Sequence, residues 1–232
     1  VHNQWERLAD RAFRCRLAFC DVTVGLVWGT ESALLVDAGT TLAEARGIAA
    51  DAADLAGVPV RHVVLTHHDF DHVLGASTFP DATVYAAPPV AQTLAERRDD
   101  VRAEAVRYGA DPAAVDEALA AWRTPQRLVW SADIDLGGQR VAVRHPGRGH
   151  TDHDLIVVLA GTDPAVVFCG DLVEESGDPV LDTHSDPAAW PATLDRVLEL
   201  GGESAVYVPG HGAVVDAAFV RRQRQWLTVH NS

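Results

Sequence analysis

At 232 residues and 47% hydrophobic, the chain can bury an enzyme-sized core, and no Pro/Ser-rich linker divides it, so residues 1–232 are read as one domain. A formal charge of −14 speaks against nucleic acid, whose phosphates need a basic surface, and no apolar run approaches the roughly 20 residues that span a bilayer. Cys15, Cys20 and Cys169 are too few and too oddly numbered for a disulfide framework, and residues 1–6 show no basic segment leading into an apolar core, so a cytoplasmic protein is expected.

Taken in chain order, strands are predicted at residues 11–19, 22–28 and 33–37, separated by short polar or Gly signals that suit antiparallel pairing. Residues 42–55 carry Ala and Leu at helical spacing and stop at Gly57-Val58-Pro59. A strand at 60–65 follows, then one at 83–87 ahead of Pro88-Pro89, where a helix begins. Residues 91–123 read as two helices broken at Gly109-Ala110-Asp111-Pro112, with Asp111 as cap and Pro112 in the first turn. This insertion is either a lid over a site or a pair packed for stability. Residues 133–136 and 140–144 form a hairpin through Gly137-Gly138, and 155–159 and 165–169 are β-branched buried strands. A helix at 187–200 capped by Asp186, a strand at 205–208 and a helix at 214–229 close the chain. Arg221-Arg222-Gln223-Arg224 on that last helix reads as a solvated face.

Directly after Val63-Val64-Leu65 comes Thr66-His67-His68-Asp69-Phe70-Asp71-His72. Imidazoles and carboxylates crowded into one loop at a strand end suit zinc, iron or manganese. Three later turns each add one candidate ligand: Gly149-His150-Thr151, Cys169-Gly170-Asp171 and Pro209-Gly210-His211-Gly212. This order resembles the metallo-β-lactamase superfamily, whose motif is His-x-His-x-Asp-His followed by a distant His, a bridging Asp and a last His. The resemblance covers nearly the whole chain. It implies an α/β (α+β) fold, a four-layer αβ/βα sandwich of two facing mixed sheets with helices outside. It is specific for fold and metal binding and uninformative about substrate, because one fold hosts many chemistries.

By position, the resemblance gives the first metal His67, Asp69 and His150, and the second Asp71, His72 and His211. Asp171 bridges both, with a hydroxide between them, and Asp71 and Asp171 are the catalytic carboxylates. Two divalent ions are implied, zinc first, with iron or manganese as alternatives. Asp69 departs from the family, standing where the common motif has its second His. With it, Asp69, Asp71, Asp171 and a hydroxide balance two divalent ions, whereas a His there would leave one positive charge. An oxygen donor leans toward iron or manganese more than imidazole does. The flavodiiron branch carries Glu at that place, but its flavin domain has no counterpart here.

His68 could replace Asp69 if the loop shifted by one residue, although neighbours on an extended segment point apart. His153, Asp154 and His184 are candidates to hold a ligand or meet substrate. Cys169 shares strand parity with Asp171 and is either core or near the metals. Trp28, Trp122, Trp130 and Trp190 are left as packing residues. The leading function is a metal-dependent hydrolase acting on an ester, lactone, thioester or related bond of a small molecule, with neither nucleic acid nor membrane as partner and the oligomeric state open. An iron-dependent oxidoreductase of the flavodiiron or persulfide dioxygenase type, and a non-catalytic metal-binding protein, are the alternatives.

Overall fold

In the computed structural model, which describes residues 2–230, the apolar runs pair into two sheets. The first contains β1 (Trp5–Ala9), β2 (Ala12–Arg16), β3 (Thr23–Trp28), β4 (Ala33–Val36), β5 (Val60–Val64), β6 (Thr83–Ala86) and β7 (Arg127–Leu128), side by side in chain order. The pairs from β1 to β4 are antiparallel, and those from β4 to β7 are parallel. The second sheet contains β8 (Ser131–Asp135), β9 (Arg140–Arg144), β10 (Ile156–Leu159), β11 (Val166–Glu174) and β12 (Val206–His211), in the order β12-β11-β10-β9-β8. There β11 and β12 run parallel and the other pairs antiparallel.

Adjacent strand residues point to opposite faces, and here both faces are buried, which is why these strands read as unbroken apolar runs. Leu26, Leu35 and Val63 face outward onto α1 (Leu42–Ala56) and the helices of the insertion, beside Ile48, Leu94, Val101 and Val115. Their neighbours Val27, Leu34 and Val64 turn inward and meet Val143, Leu155 and Phe168 of the second sheet. On the far side, Val158, Val167 and Tyr207 pack against Trp190, Leu194 and Val220. Helix, sheet, sheet and helix therefore form the four-layer sandwich that the resemblance implied. Among the described residues, no helix is long and apolar enough to cross a membrane. The one-domain reading of 1–232 also takes in Val1, Asn231 and Ser232, which lie outside the described residues.

The helix α1 starts on a reciprocal cap, with Glu44 N donating to Thr41 Oγ1 and Thr41 N to the Glu44 carboxylate, and ends at Gly57 with φ 65. Elsewhere the elements differ from expectation for local reasons. The metal loop does not stay extended; it turns at Asp69 into α2 (Phe70–Val73) and a 3-10 turn over Leu74–Thr78. The insertion is three helices rather than two: α3 (Pro88–Glu96), α4 (Arg98–Arg107) and α5 (Pro112–Ala121). Arg97, at φ −127, breaks the run while Asp99 and Asp100 supply the acidic first turn of α4. Asp111 caps α5 as expected, accepting from Ala113 N and Ala114 N. Asp186 lies three residues before the Ala189 cap of α6 (Trp190–Gly201) and holds the preceding turn through Ala189 N. The last helix, α7 (Ala217–Val229), begins at an Asp216 cap.

Candidate metal centre

Because β4 and β5 are parallel neighbours, the chain leaves both at the same sheet edge, at Asp37 and Thr66. Asp37 is buried, at 2% exposure, and holds φ 62, a left-handed conformation that few side chains tolerate and that Asp adopts more readily than most. Its Oδ1 accepts from Thr66 N at 2.8 Å, and its Oδ2 meets both Thr66 Oγ1 and His72 Nδ1 at 2.8 Å. From the second sheet, β11 delivers Asp171 past a bulge at Gly170, where φ is 53 and the pairing with β12 shifts register. That bulge breaks the parity that linked Cys169 to Asp171: Cys169 turns into the outer core with Trp190 and Leu194, and Asp171 faces the centre. Gly210 on β12 lets Asp171 sit there, since a Cβ at that position would overlap Asp171 Oδ1.

Two groups of donors gather the expected ligands. His67, Asp69, His150 and Asp171 bring one atom each within 4.8 Å of one another, and so do Asp71, His72 and His211; a third group joins Glu174 to Asp171 and His211. Asp69 Oδ2 lies 3.4 Å from His67 Nε2 and 3.6 Å from His150 Nε2. Asp71 Oδ2 lies 3.7 Å from His72 Nε2 and 3.5 Å from His211 Nε2. Asp171 reaches both groups, with Oδ1 3.2 Å from His72 Nε2 and Oδ2 at 3.2, 3.7 and 3.9 Å from the Nε2 atoms of His211, His67 and His150.

Each of these four imidazoles is anchored through its other nitrogen. Nδ1 of His67 bonds Thr66 Oγ1, His72 the Asp37 carboxylate, His150 the Asp154 carboxylate at 3.3 Å, and His211 the Cys20 carbonyl at 2.7 Å. Asp154 in turn accepts from Thr151 N at 2.6 Å, which ties the His150 loop to itself. Every Nε2 is thereby aimed inward, as metal-binding imidazoles are oriented. His67 Nε2 is buried with no hydrogen-bond partner, and so is Asp171 Oδ1. Orphaned buried donors and acceptors are costly unless something else satisfies them, and a His/Asp set of this kind fits a divalent cation.

Charge tells the same story. Burial lowers His72, yet Asp171, Asp71 and Asp37 outweigh it and hold the ring well above the ordinary range. Against the same desolvation, carboxylates led by Asp154 carry His150 to about 10, and carboxylates led by Asp171 carry His211 to about 9. Burial also works to raise Asp69, but the His67 ring wins and keeps its carboxyl far below normal. Protons and divalent cations compete for a cluster of this composition, so metal uptake displaces protons.

His68 does not join it. Its Nδ1 meets His153 Nε2 at 2.9 Å, and His184, which is exposed, stands with its ring 5.1 Å away. Burial presses His68 down to about 4 and lowers His153 as well. Trp190 packs beside His150, ring centroids 6.1 Å apart, and donates to Leu172 O. Sequence reasoning missed Asp37 and the Cys20 carbonyl. A buried acid closing the apolar strand Val36-Asp37-Ala38 was the available signal for the first; a carbonyl leaves none. It also missed Glu104, Tyr108, Glu174 and Asp182, which line the cavity of about 230 Å³ over the centre.

With this geometry in place, the likeness to known proteins becomes specific. The metallo-beta-lactamase superfamily model matches residues 17–211. The chain belongs to the metallo-beta-lactamase superfamily. A metallo-beta-lactamase type 2 from Bacillus cereus is 29% identical over 86 residues, 36% of this chain and 33% of that protein, so the match spans a third of its length. Among solved structures, VMB-1 superposes with a TM-score of 0.76 at 16% identity, covering 99% of this chain and 98% of that one. A metallo-beta-lactamase from Pontibacter korlensis gives 0.75 at 20%, over 97% and 99% of the two chains. DIM-1 metallo-beta-lactamase, solved after exposure to ceftazidime, gives 0.76 at 16%, over 98% and 97%. At such identities the likeness concerns fold. Family and donor cluster together give the chain this fold and a set of His and Asp residues that could hold metal ions.

Asp37 offers an early test. In Asp37→Asn the side chain keeps its shape and tolerates the left-handed backbone but loses the charge facing His72. Metal affinity measured by competition with a chromophoric chelator should fall about 10–100-fold, with circular dichroism unchanged. Unchanged affinity would show that His72 needs no carboxylate behind it.

Proposed function

We propose that the chain hydrolyses an ester, lactone or thioester of a small molecule, using two divalent metal ions held by His67, Asp69 and His150 and by Asp71, His72 and His211, with Asp171 shared. The observation that carries this is Asp171, whose two oxygens stand 3.2–3.9 Å from the Nε2 atoms of four histidines drawn from both groups. Such a pair of ions, when bound, supplies a water-derived nucleophile at neutral pH and polarises the bond under attack. Asp71, with Oδ2 3.7 and 3.5 Å from the Nε2 atoms of His72 and His211, is placed both to hold a metal and to orient that water. Asp154, Asp37 and the Cys20 carbonyl keep the imidazoles in register. Zinc is the first choice of metal, and Asp69 is the feature that favours iron or manganese and, with them, the oxidoreductase alternative. The cavity and the acidic balance of the chain suit a small molecule rather than nucleic acid, and three free thiols suit the cytoplasm.

Protein stripped of metal and reloaded with zinc, iron or manganese in turn should cleave at least one member of an ester, lactone and thioester panel, and chelator should abolish the activity. Turnover that survives metal removal would sink this reading. Oxygen consumption by the iron form without hydrolysis by any form would favour the oxidoreductase.

A further inference from the structure

We propose that the cavity selects substrates bearing a cationic group, an ammonium held by Glu104 and Asp182 beside the Tyr108 ring; the chemistry done on that substrate rests on the hydrolase reading above. Six carboxylates line the cavity: Asp69, Asp71, Asp171, Glu104, Glu174 and Asp182. The first three, with a hydroxide, balance two divalent ions. Of the other three, Glu104 meets Arg107, which does not line the cavity, and Asp182 Oδ1 accepts from His184 N and Ser185 N in its own turn; among the described residues lining the cavity none is arginine or lysine. The chain has no lysine at all. Glu104 is in the last turn of α4 and Tyr108, its C-terminal cap, follows four residues on with its N–H donating to Glu104 O, so the two share one face, and the Phe70 ring packs against Tyr108 at 5.7 Å.

A cation already uses this pair from outside. Arg107 Nη2 donates to Glu104 Oε1 at 3.2 Å, and its guanidinium lies 5.4 Å over the Tyr108 ring. That bridge is exposed, 71% on the arginine and 43% on the glutamate, so it is weak enough to yield to a ligand. Deeper in, Glu174 is buried, with Oε1 accepting from Ser176 N and Oγ, and it lies within 4.8 Å of Asp171 and His211. Burial raises the Glu104 carboxyl, Asp69 adds to this, Arg107 opposes it and Asp182 adds again, as expected where negative charges converge. An anionic substrate would meet repulsion along this route, and an ammonium would gain both Coulombic and ring attraction.

The test compares choline with its neutral isostere, in which a tert-butyl group replaces the trimethylammonium, by calorimetry on the zinc-loaded protein. Choline should bind about tenfold tighter, the combined effect of modest ion pairing and cation–π attraction. In Glu104→Gln/Asp182→Asn the preference should fall to within about twofold. The acetate esters of the same two alcohols give a parallel ratio of kcat/KM. Equal binding of the two alcohols, or a preference that survives the double variant, overturns the cation site. Binding preference without turnover of either ester upholds the cation site and removes the hydrolase reading; turnover of both esters at equal kcat/KM, with equal binding of the alcohols, does the reverse.

Discussion

Asp171→Ala should lose hydrolysis and hold one metal ion or fewer per molecule. The side chain is 12% exposed and faces four imidazoles, so its removal strips charge from both donor groups at once. Removing one member of a buried charge array costs about 3–5 kcal/mol, which corresponds to about two to four powers of ten in metal affinity. His72 and His211 owe their raised proton affinity to carboxylates of which Asp171 is the strongest. In the metal-free variant both should therefore titrate at lower pH, which NMR of the imidazole protons reads directly. The comparison is Asp154→Ala, which loses a support behind His150 and should cost about 10–100-fold. A variant that keeps two ions without Asp171, or an Asp154→Ala variant that loses them both, would overturn the shared-carboxylate assignment.

What the sequence made legible follows from how local each signal is. Four donor-bearing turns beside apolar strands could be read in order, because a strand end and a Gly turn are short-range features. The facing of two sheets could not be read from alternation, since Leu34 and Leu35 are equally apolar and only the fold decides which one meets the second sheet. The strand β1 escaped because Trp5-Glu6-Arg7 is polar, and it is held by pairing with β2 and by Asp51, which accepts from Trp5 Nε1. Strand parity failed at Cys169 because one glycine at positive φ resets it. Asp37 is 29 residues from Thr66 and 35 from His72, and a partnership of that range leaves no spacing rule behind. Glu104 and Tyr108 read as ordinary helix-surface residues until α4 is laid over the centre.

Asp69→His should keep both metal ions, move metal preference toward zinc and shift the ascending limb of the pH–rate profile to lower pH. Asp69 Oδ2 sits with His67 Nε2 and His150 Nε2, whereas His68 bonds His153 through Nδ1 and has its Nε2 3.5 Å from Asp69 Oδ1, outside the donor group, so the carboxylate and not the neighbouring imidazole occupies the position where the family carries His. Replacing a carboxylate by a neutral ring makes the centre one charge more positive. Generating the nucleophile creates an anion there, and an anion forms more easily next to less negative charge, so the sign is downward. A single charge at this range moves such an equilibrium by about one to three pH units. Imidazole is also the softer donor, which favours zinc over manganese or iron in competition. Asp69→Ala should lose one ion, and His68→Ala should keep both while freeing His153. If His68→Ala lost an ion and Asp69→Ala did not, the loop would have to be shifted by one residue in the metal-loaded protein. Metal content of the three variants settles the register, and the pH profile of Asp69→His then shows whether the extra carboxylate sets the working range of the enzyme.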